Sequence, residues 1–368
     1  MVPMIRTVFI RLKSNIDPFL MGGVFFCCIV GLFVLYSASG GSFERVLSQF
    51  MNILAALGIM WLAANTSPHY LERIALPLFV FGLLLLVGVA LFGEISHGAR
   101  RWLNFGVGRI QPSELMKIAV PMMLAWHFSK REQSLRWSDY LIGALFLVVP
   151  VGLIMKQPDL GTALIIGAAG FYVLFLAGLS WKVLIGSVVS SGLMAPVFWS
   201  LLHDYQRKRI EILFDPYQDP LGAGYHTIQA GIALGSGGFA GKGWMNGTQS
   251  QLDFLPERTT DFIFAVFGEE FGFLGNILLL VLFLLLIGRG LFIASQAQNT
   301  FTRLLAGSIT LTFFTYVFVN MGMVSGILPV VGVPLPFVSY GGTSLVTILL
   351  GFGILMSIHS HKTLMSTS

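Results

Sequence analysis

The chain has 368 residues, of which 55% are hydrophobic and only 11% charged. A soluble domain carries roughly 25% charged residues, so this chain cannot cover itself with a water-compatible surface, and its main solvent is lipid. The formal charge of +5 is small and spread along the sequence, which argues against nucleic acid as a partner.

Arg6, Arg11 and Lys13 precede the first apolar run, as in a signal anchor rather than a removable leader. Cys27 and Cys28 are adjacent inside that run and fit neither a loop-closing disulfide nor a zinc spacing. Leu78 to Phe92 and Ile277 to Ile287 contain no polar side chain. With their flanks they approach the roughly 20 residues a membrane span needs. The patterning predicts an all-α integral membrane protein with about ten transmembrane helices. They lie near 19–38, 49–64, 75–93, 113–128, 139–156, 160–178, 182–202, 261–287, 304–325 and 337–358. Residues 203–260 form a polar, glycine-rich, extracytoplasmic loop between helices seven and eight, and the whole of 1–368 reads as one membrane domain. The cations divide almost evenly between the two sides. The first helix carries most weight in the positive-inside rule, so both termini are expected in the cytoplasm. The cations left outside then suit an anionic lipid headgroup.

Ionisable residues at membrane depth are functional candidates. Gly98-Ala99-Arg100-Arg101-Trp102-Leu103 is either an interfacial anchor or a pyrophosphate-binding arginine site. Gln111-Pro112-Ser113-Glu114 opens the fourth span, and Lys117 follows three residues after Glu114 on the same helix face. That pair is either an ion pair closing the helix end, or it leaves Lys117 facing a polar cavity to contact phosphate. Asp159, in Gln157-Pro158-Asp159-Leu160-Gly161-Thr162, reads most simply as a helix cap. Asp261, in the stretch Phe254 to Phe264, is a helix cap or a partly desolvated general base. Glu269 and Glu270 follow inside the same span and should turn away from lipid.

Gly235 to Gly243 fails a phosphate-loop test, because Ser236 and Gly243 stand where such a loop needs Gly and Ser or Thr. It reads as a close-packing loop. The apolar segment 326–342 is full of helix breakers and is either a re-entrant loop lining a cavity or a tight connection. No metal-ligand cluster or Ser-His-Asp pattern is visible. The seven histidines, His226 among them, read as interfacial.

Taken together, these stretches resemble the SEDS family (shape, elongation, division and sporulation). The resemblance also rests on Asp204-Tyr205-Gln206-Arg207, Asp215-Pro216, Asp219 to His226, and Gly247-Thr248-Gln249-Ser250-Gln251. The last piece, with Leu255-Pro256-Glu257-Arg258, is more similar to elongation-type members than to division-type ones. Thr259 departs from the family's usual His before the Thr-Asp pair.

The resemblance implies a peptidoglycan glycosyltransferase of the bacterial inner membrane that polymerises lipid II for cell elongation and rod shape. Its active site would face the periplasm, and a class B penicillin-binding protein would be its crosslinking partner. It implies that Asp261 is the catalytic residue, with Arg101, Glu114, Lys117, Asp159, Glu257 and Arg258 at the substrate site. Magnesium or manganese, held by oxygen ligands, is an expected cofactor, and no organic cofactor is expected. The alternatives are a lipid II flippase and a non-catalytic scaffold for the partner.

Overall fold

The computed structural model describes residues 15–361, apart from 97–98, 105–108, 133–134, 202–203, 223 and 253. Three helices come first: α1 (Pro18–Ala38), α2 (Phe43–Ala64) and α3 (Pro68–Phe92). Asp17 and Ser42 cap α1 and α2 by accepting from the backbone N–H of Leu20 and Arg45. Proline stands in the first turn of α1 and α3, where its missing N–H has no helical partner to lose.

Next come α4 (Pro112–Ser129), α5 (Trp137–Lys156) and α6 (Leu160–Leu176). The single helix expected over 182–202 is divided into α7 (Trp181–Leu193) and α8 (Ala195–Leu201). Pro196 sits just inside α8, where it has no N–H to continue the ladder from α7. The long loop is itself helical in part, with α9 (Asp204–Phe214), α10 (Tyr225–Ser236) and the one-turn α11 (Thr248–Gln251). Then follow α12 (Ile263–Ser295), α13 (Thr300–Val324) and α14 (Thr343–Ser360).

Among the described residues, α1, α2, α3, α5, α12, α13 and α14 are each long and apolar enough to cross a bilayer. The chain is a multi-pass, all-helical membrane protein. The helices that fall short do so for visible reasons: α4 is 18 residues long and carries Glu114 and Lys117, and α6 has only 17 residues.

Burial explains how α4 is tolerated. It is covered by protein along nearly its whole length. The apolar windows of α13 and α14 are 78% and 61% buried, against 28% for α2 and 22% for α5. The outer helices turn Phe25, Phe26, Phe81, Leu84, Leu141 and Leu278 outward. Lipid accepts those side chains, while the polar groups of α4, α13 and α14 stay inside the bundle. Both cysteines are free and buried in α1.

One feature unannounced by the sequence is a small antiparallel sheet after α3. Its strands are β1 (Glu94–Ser96), β2 (Ala99–Asn104) and β3 (Arg109–Ile110), in that order. Glu94 pairs with Trp102 and Asn104 with Arg109. Strand β2 thereby carries Arg101 and Trp102 to the mouth of α4.

The helix α12 breaks at Gly272, with φ 63° and ψ −161°. A break inside a bundle leaves backbone groups that need partners. The glycine-rich loop supplies them: Lys242 and Gly243 donate N–H to the carbonyls of Glu269 and Glu270, and Phe273 and Leu274 donate to Gly238 and Phe239. A Cβ on Gly237 would lie 2.1 Å from the Gly268 carbonyl oxygen, so the close packing requires glycine there. Glu269 accepts from Lys242 Nζ (2.7 Å), Thr248 Oγ1 (3.0 Å) and Gln249 N (3.1 Å), and Ser37 of α1 donates to Glu270. Both carboxylates are buried and hold the loop to α12 and α1.

Residues 327–336 form no helix and run between helices with little exposure past Gly332. A Cβ on Gly31 of α1 would lie 2.4 Å from the Phe337 carbonyl oxygen, and one on Gly161 of α6 would lie 2.6 Å from that of Val331. Phe337 itself adopts φ 65°, a left-handed conformation that a bulky residue holds only when its surroundings impose it.

Candidate active site

Two groups of charged residues meet beneath the 326–342 segment. The first surrounds a polar cavity of about 140 Å³ lined by Arg101, Glu114, Lys117, Asp159 and Tyr316. Lys117 Nζ lies 2.7 Å from Glu114 Oε1 and 5.3 Å from the Tyr316 ring centroid. Thr347 of α14 donates to the other oxygen of Glu114 at 2.9 Å. Asp159 caps α6 through Thr162 N (3.2 Å) and stands 3.6 Å from Arg101 Nε. Arg101 Nη2 also donates to the Pro158 carbonyl at 3.1 Å. The cap and the ion pair are therefore both real, and the cations still face a common space.

The second group centres on Asp261, in the turn that leads into α12. Its carboxylate lines a cavity of about 540 Å³ with Arg101, Trp102, Arg209, Glu257 and Tyr340. Burial pushes the Asp261 carboxyl up to about 6; the Glu257 charge adds to the rise, while Arg209 and Arg101 oppose it. Glu257 lies at φ 49°, and its carbonyl accepts from Thr260 N (3.1 Å) and Phe262 N (3.2 Å). Its carboxylate accepts from Thr260 Oγ1 at 2.9 Å. This compact turn, strained at a non-glycine residue, aims Asp261 toward the 326–342 segment. A Cβ on Gly332 would be 3.5 Å from Asp261 Oδ2. Tyr340 N donates to the Thr259 carbonyl (2.8 Å), and Ser339 Oγ to the Thr260 carbonyl (2.7 Å). The main chain of Thr259 thus fastens the two segments.

Arg101 lines both cavities, so the fold brings Asp261 and Glu257 into one region with Arg101, Glu114, Lys117 and Asp159. Arg258 is placed differently. Its guanidinium donates to the Ser250 carbonyl in the loop, and it lines neither cavity. Sequence reasoning missed Arg209, Tyr316 and His226. His226 stacks on Phe262, with centroids 5.8 Å apart and planes at 20°. The available signal for His226 was its place at the end of the Asp219-to-His226 stretch that carries the family resemblance.

Glu114 and Asp159 fit a resident metal ion poorly. Glu114 and Asp159 are already engaged by Lys117, Thr347, Thr162 and Arg101. No group of three or more His, Cys, Asp or Glu residues able to hold a metal occurs among the described residues. What the arrangement offers is a part-buried carboxylate, raised to about 6, beside cations that their neighbours hold in place. That combination suits removal of a proton from a hydroxyl while a negatively charged group departs.

Residues 18–364 match the model of the cell cycle protein family FtsW/RodA/SpoVE. The chain is 49% identical over 360 residues to the peptidoglycan glycosyltransferase MrdB of Escherichia coli K12, covering 97% of this chain and 96% of that one. A solved structure described as structural coordination of polymerization and crosslinking by a peptidoglycan synthase complex aligns with TM-score 0.82 and 32% identity, over 94% of this chain and 98% of that one. The crystal structure of the Thermus thermophilus rod shape determining protein RodA aligns with TM-score 0.72 and 29% identity, over 95% and 98%.

Proposed function

The chain belongs to the FtsW/RodA/SpoVE family, and we propose that it is a peptidoglycan glycosyltransferase that polymerises lipid II into β-1,4-linked glycan strands during cell elongation and rod-shape maintenance. The observation that carries this reading is Asp261. Its carboxylate, pushed up to about 6 by burial and by Glu257, shares a cavity with Arg101.

The acceptor sugar's hydroxyl gives its proton to Asp261, and its oxygen bonds to the anomeric carbon of the donor sugar. The bond from that carbon to the donor's pyrophosphate breaks, and undecaprenyl pyrophosphate leaves with the electron pair. Arg101 and Lys117 face the departing negative charge. Asp159 and Glu114 hold those two cations in place. A single displacement inverts the anomeric configuration, as an α-linked donor requires to give a β-linked strand. Magnesium or manganese would enter with the pyrophosphate rather than reside on Glu114 and Asp159.

The same reading places the protein in the bacterial inner membrane with ten spans, counting α4, α6 and the divided α7–α8 with the seven self-sufficient helices. Both termini are cytoplasmic and the site faces the periplasm. Residues 203–260 are then the periplasmic loop, and 326–342 the re-entrant segment of a single domain. A class B penicillin-binding protein is the crosslinking partner; the similar complex described as coordinating polymerization and crosslinking supports this.

The test is strand formation from purified lipid II by the purified protein, with and without its partner, comparing wild type with Asp261→Asn. Strands from wild type only support the polymerase and the assigned base. Absence of strands from a folded wild-type complex points to a flippase or a scaffold.

A further inference from the structure

Asp261, Glu257 and Arg209 line not one cavity but two. The second, of about 250 Å³, is closed by His226 of α10, Phe262 and Leu328. Polymerisation has two substrates, and a base that serves it must touch the attacking hydroxyl. The larger cavity contains Arg101, which leads on to Lys117. An anionic leaving group belongs on that side. The smaller cavity lacks both of these cations. Its charged lining, Arg209 against Glu257 and Asp261, has no excess of cations to hold an anion, and an aromatic pair forms part of its wall. Such a lining suits a neutral ring bearing hydroxyl and amide groups.

The group that addresses such a ring is His226. Its Nδ1 is buried and has no hydrogen-bond partner within the protein. Burial lowers the pKa of the imidazole, against a smaller opposing effect of Glu257, so the ring is neutral at pH 7. A neutral imidazole carries one donor and one acceptor nitrogen. Stacking on Phe262, the residue after Asp261, fixes the ring relative to the base. Nδ1 has almost no accessible surface, so the ring meets a sugar in this cavity through Nε2.

We propose that this smaller cavity seats the attacking sugar, and that His226 hydrogen-bonds one of its hydroxyl or amide groups so that the nucleophilic hydroxyl faces Asp261. The assignment rests on the polymerase reading above and adds which substrate lies on which side of the base.

The test separates the two substrates. A labelled lipid II analogue whose attacking hydroxyl is methylated serves only as donor, and unmodified lipid II is varied as acceptor, with the partner protein present. His226→Ala and His226→Phe should raise the acceptor KM about tenfold, the value of one buried hydrogen bond, and leave the KM for the blocked donor unchanged. His226→Phe keeps the stack on Phe262, so its unfolding temperature should match wild type. His226→Asn, which still donates and accepts, should recover part of the loss. An unchanged acceptor KM, a rise confined to the donor KM, or a fall in kcat alone overturns the proposal. No labelled dimer from wild type overturns the polymerase reading itself, and the proposal with it.

Discussion

Asn320, fully buried in α13, donates from Nδ2 to the backbone carbonyl of Asp261 at 2.9 Å and to that of Val333 at 2.7 Å. One amide thus sets the spacing between the base and the segment that covers it. Replacing it with leucine keeps the volume and leaves two inward-facing carbonyls without that donor, a cost of about 1–3 kcal/mol each. Asn320→Leu should lower the unfolding temperature in detergent. It should also reduce kcat about 10²-fold, the scale on which a displaced catalytic group acts. Unfolding scans and polymerisation rates on the same preparation check this. A stability loss with unchanged kcat would show that the spacing is irrelevant to the chemistry.

The elevated carboxyl of Asp261 makes a direct statement about pH. A base acts deprotonated, so the rate should be level above pH of about 6 and fall tenfold per unit below it. Asp261→Asn removes the base and should lower the rate by about 10²–10⁴-fold on the plateau above pH of about 6, and it should abolish the acid limb. Initial rates between pH 5 and 8 with saturating lipid II measure both effects. An acid limb that persists in Asp261→Asn would assign the titration to another group.

Neighbouring charges should move that limb in opposite directions. Burial is the main cause of the elevation, Glu257 adds to it, and Arg209 opposes it. Glu257→Gln takes away a negative neighbour, eases ionisation of Asp261 and shifts the acid limb to lower pH. Arg209→Met removes a positive neighbour and shifts it to higher pH. Both shifts are read from the same pH–rate profile, and a common direction for the two variants would contradict the arrangement.

What could be read from sequence follows the same physics. Arg101, Glu114, Lys117, Asp159 and Asp261 stand out because charges are rare among apolar runs. The helices stand out because lipid demands long apolar stretches. His226 and Arg209 lie in a polar loop, where titratable residues are ordinary, and only the folding of α9 and α10 over the turn at Glu257 gives them a site. Tyr316 carries no charge to mark it within α13. The sheet around β2 is too short for a periodic signal. The break at Gly272 gives no local signal beyond the glycine itself, because the groups that complete its backbone lie in the separate loop from Gly238 to Gly243.

Lys117 poses the remaining choice between structure and chemistry, and one double variant decides it. Its ammonium is buried, 2.7 Å from Glu114, and Glu114 also accepts from Thr347. Lys117→Met alone strands a carboxylate in the bundle, and Glu114→Leu alone strands an ammonium. Each should destabilise by about 3–5 kcal/mol. The pair Glu114→Leu with Lys117→Met replaces both charges with apolar groups of similar size. Thr347 Oγ1 keeps its bond to the Thr343 carbonyl at 3.1 Å. Stability should therefore return close to wild type, because a buried ion pair exchanged for packed apolar side chains is often neutral. Activity should not return, because the cavity has lost a cation that faces the departing pyrophosphate, and a fixed charge of that kind is worth about 10²–10³ in kcat. Unfolding temperature and polymerisation rate, measured side by side, distinguish the cases. Recovery of both would make the pair a structural lock and leave Arg101 as the phosphate contact.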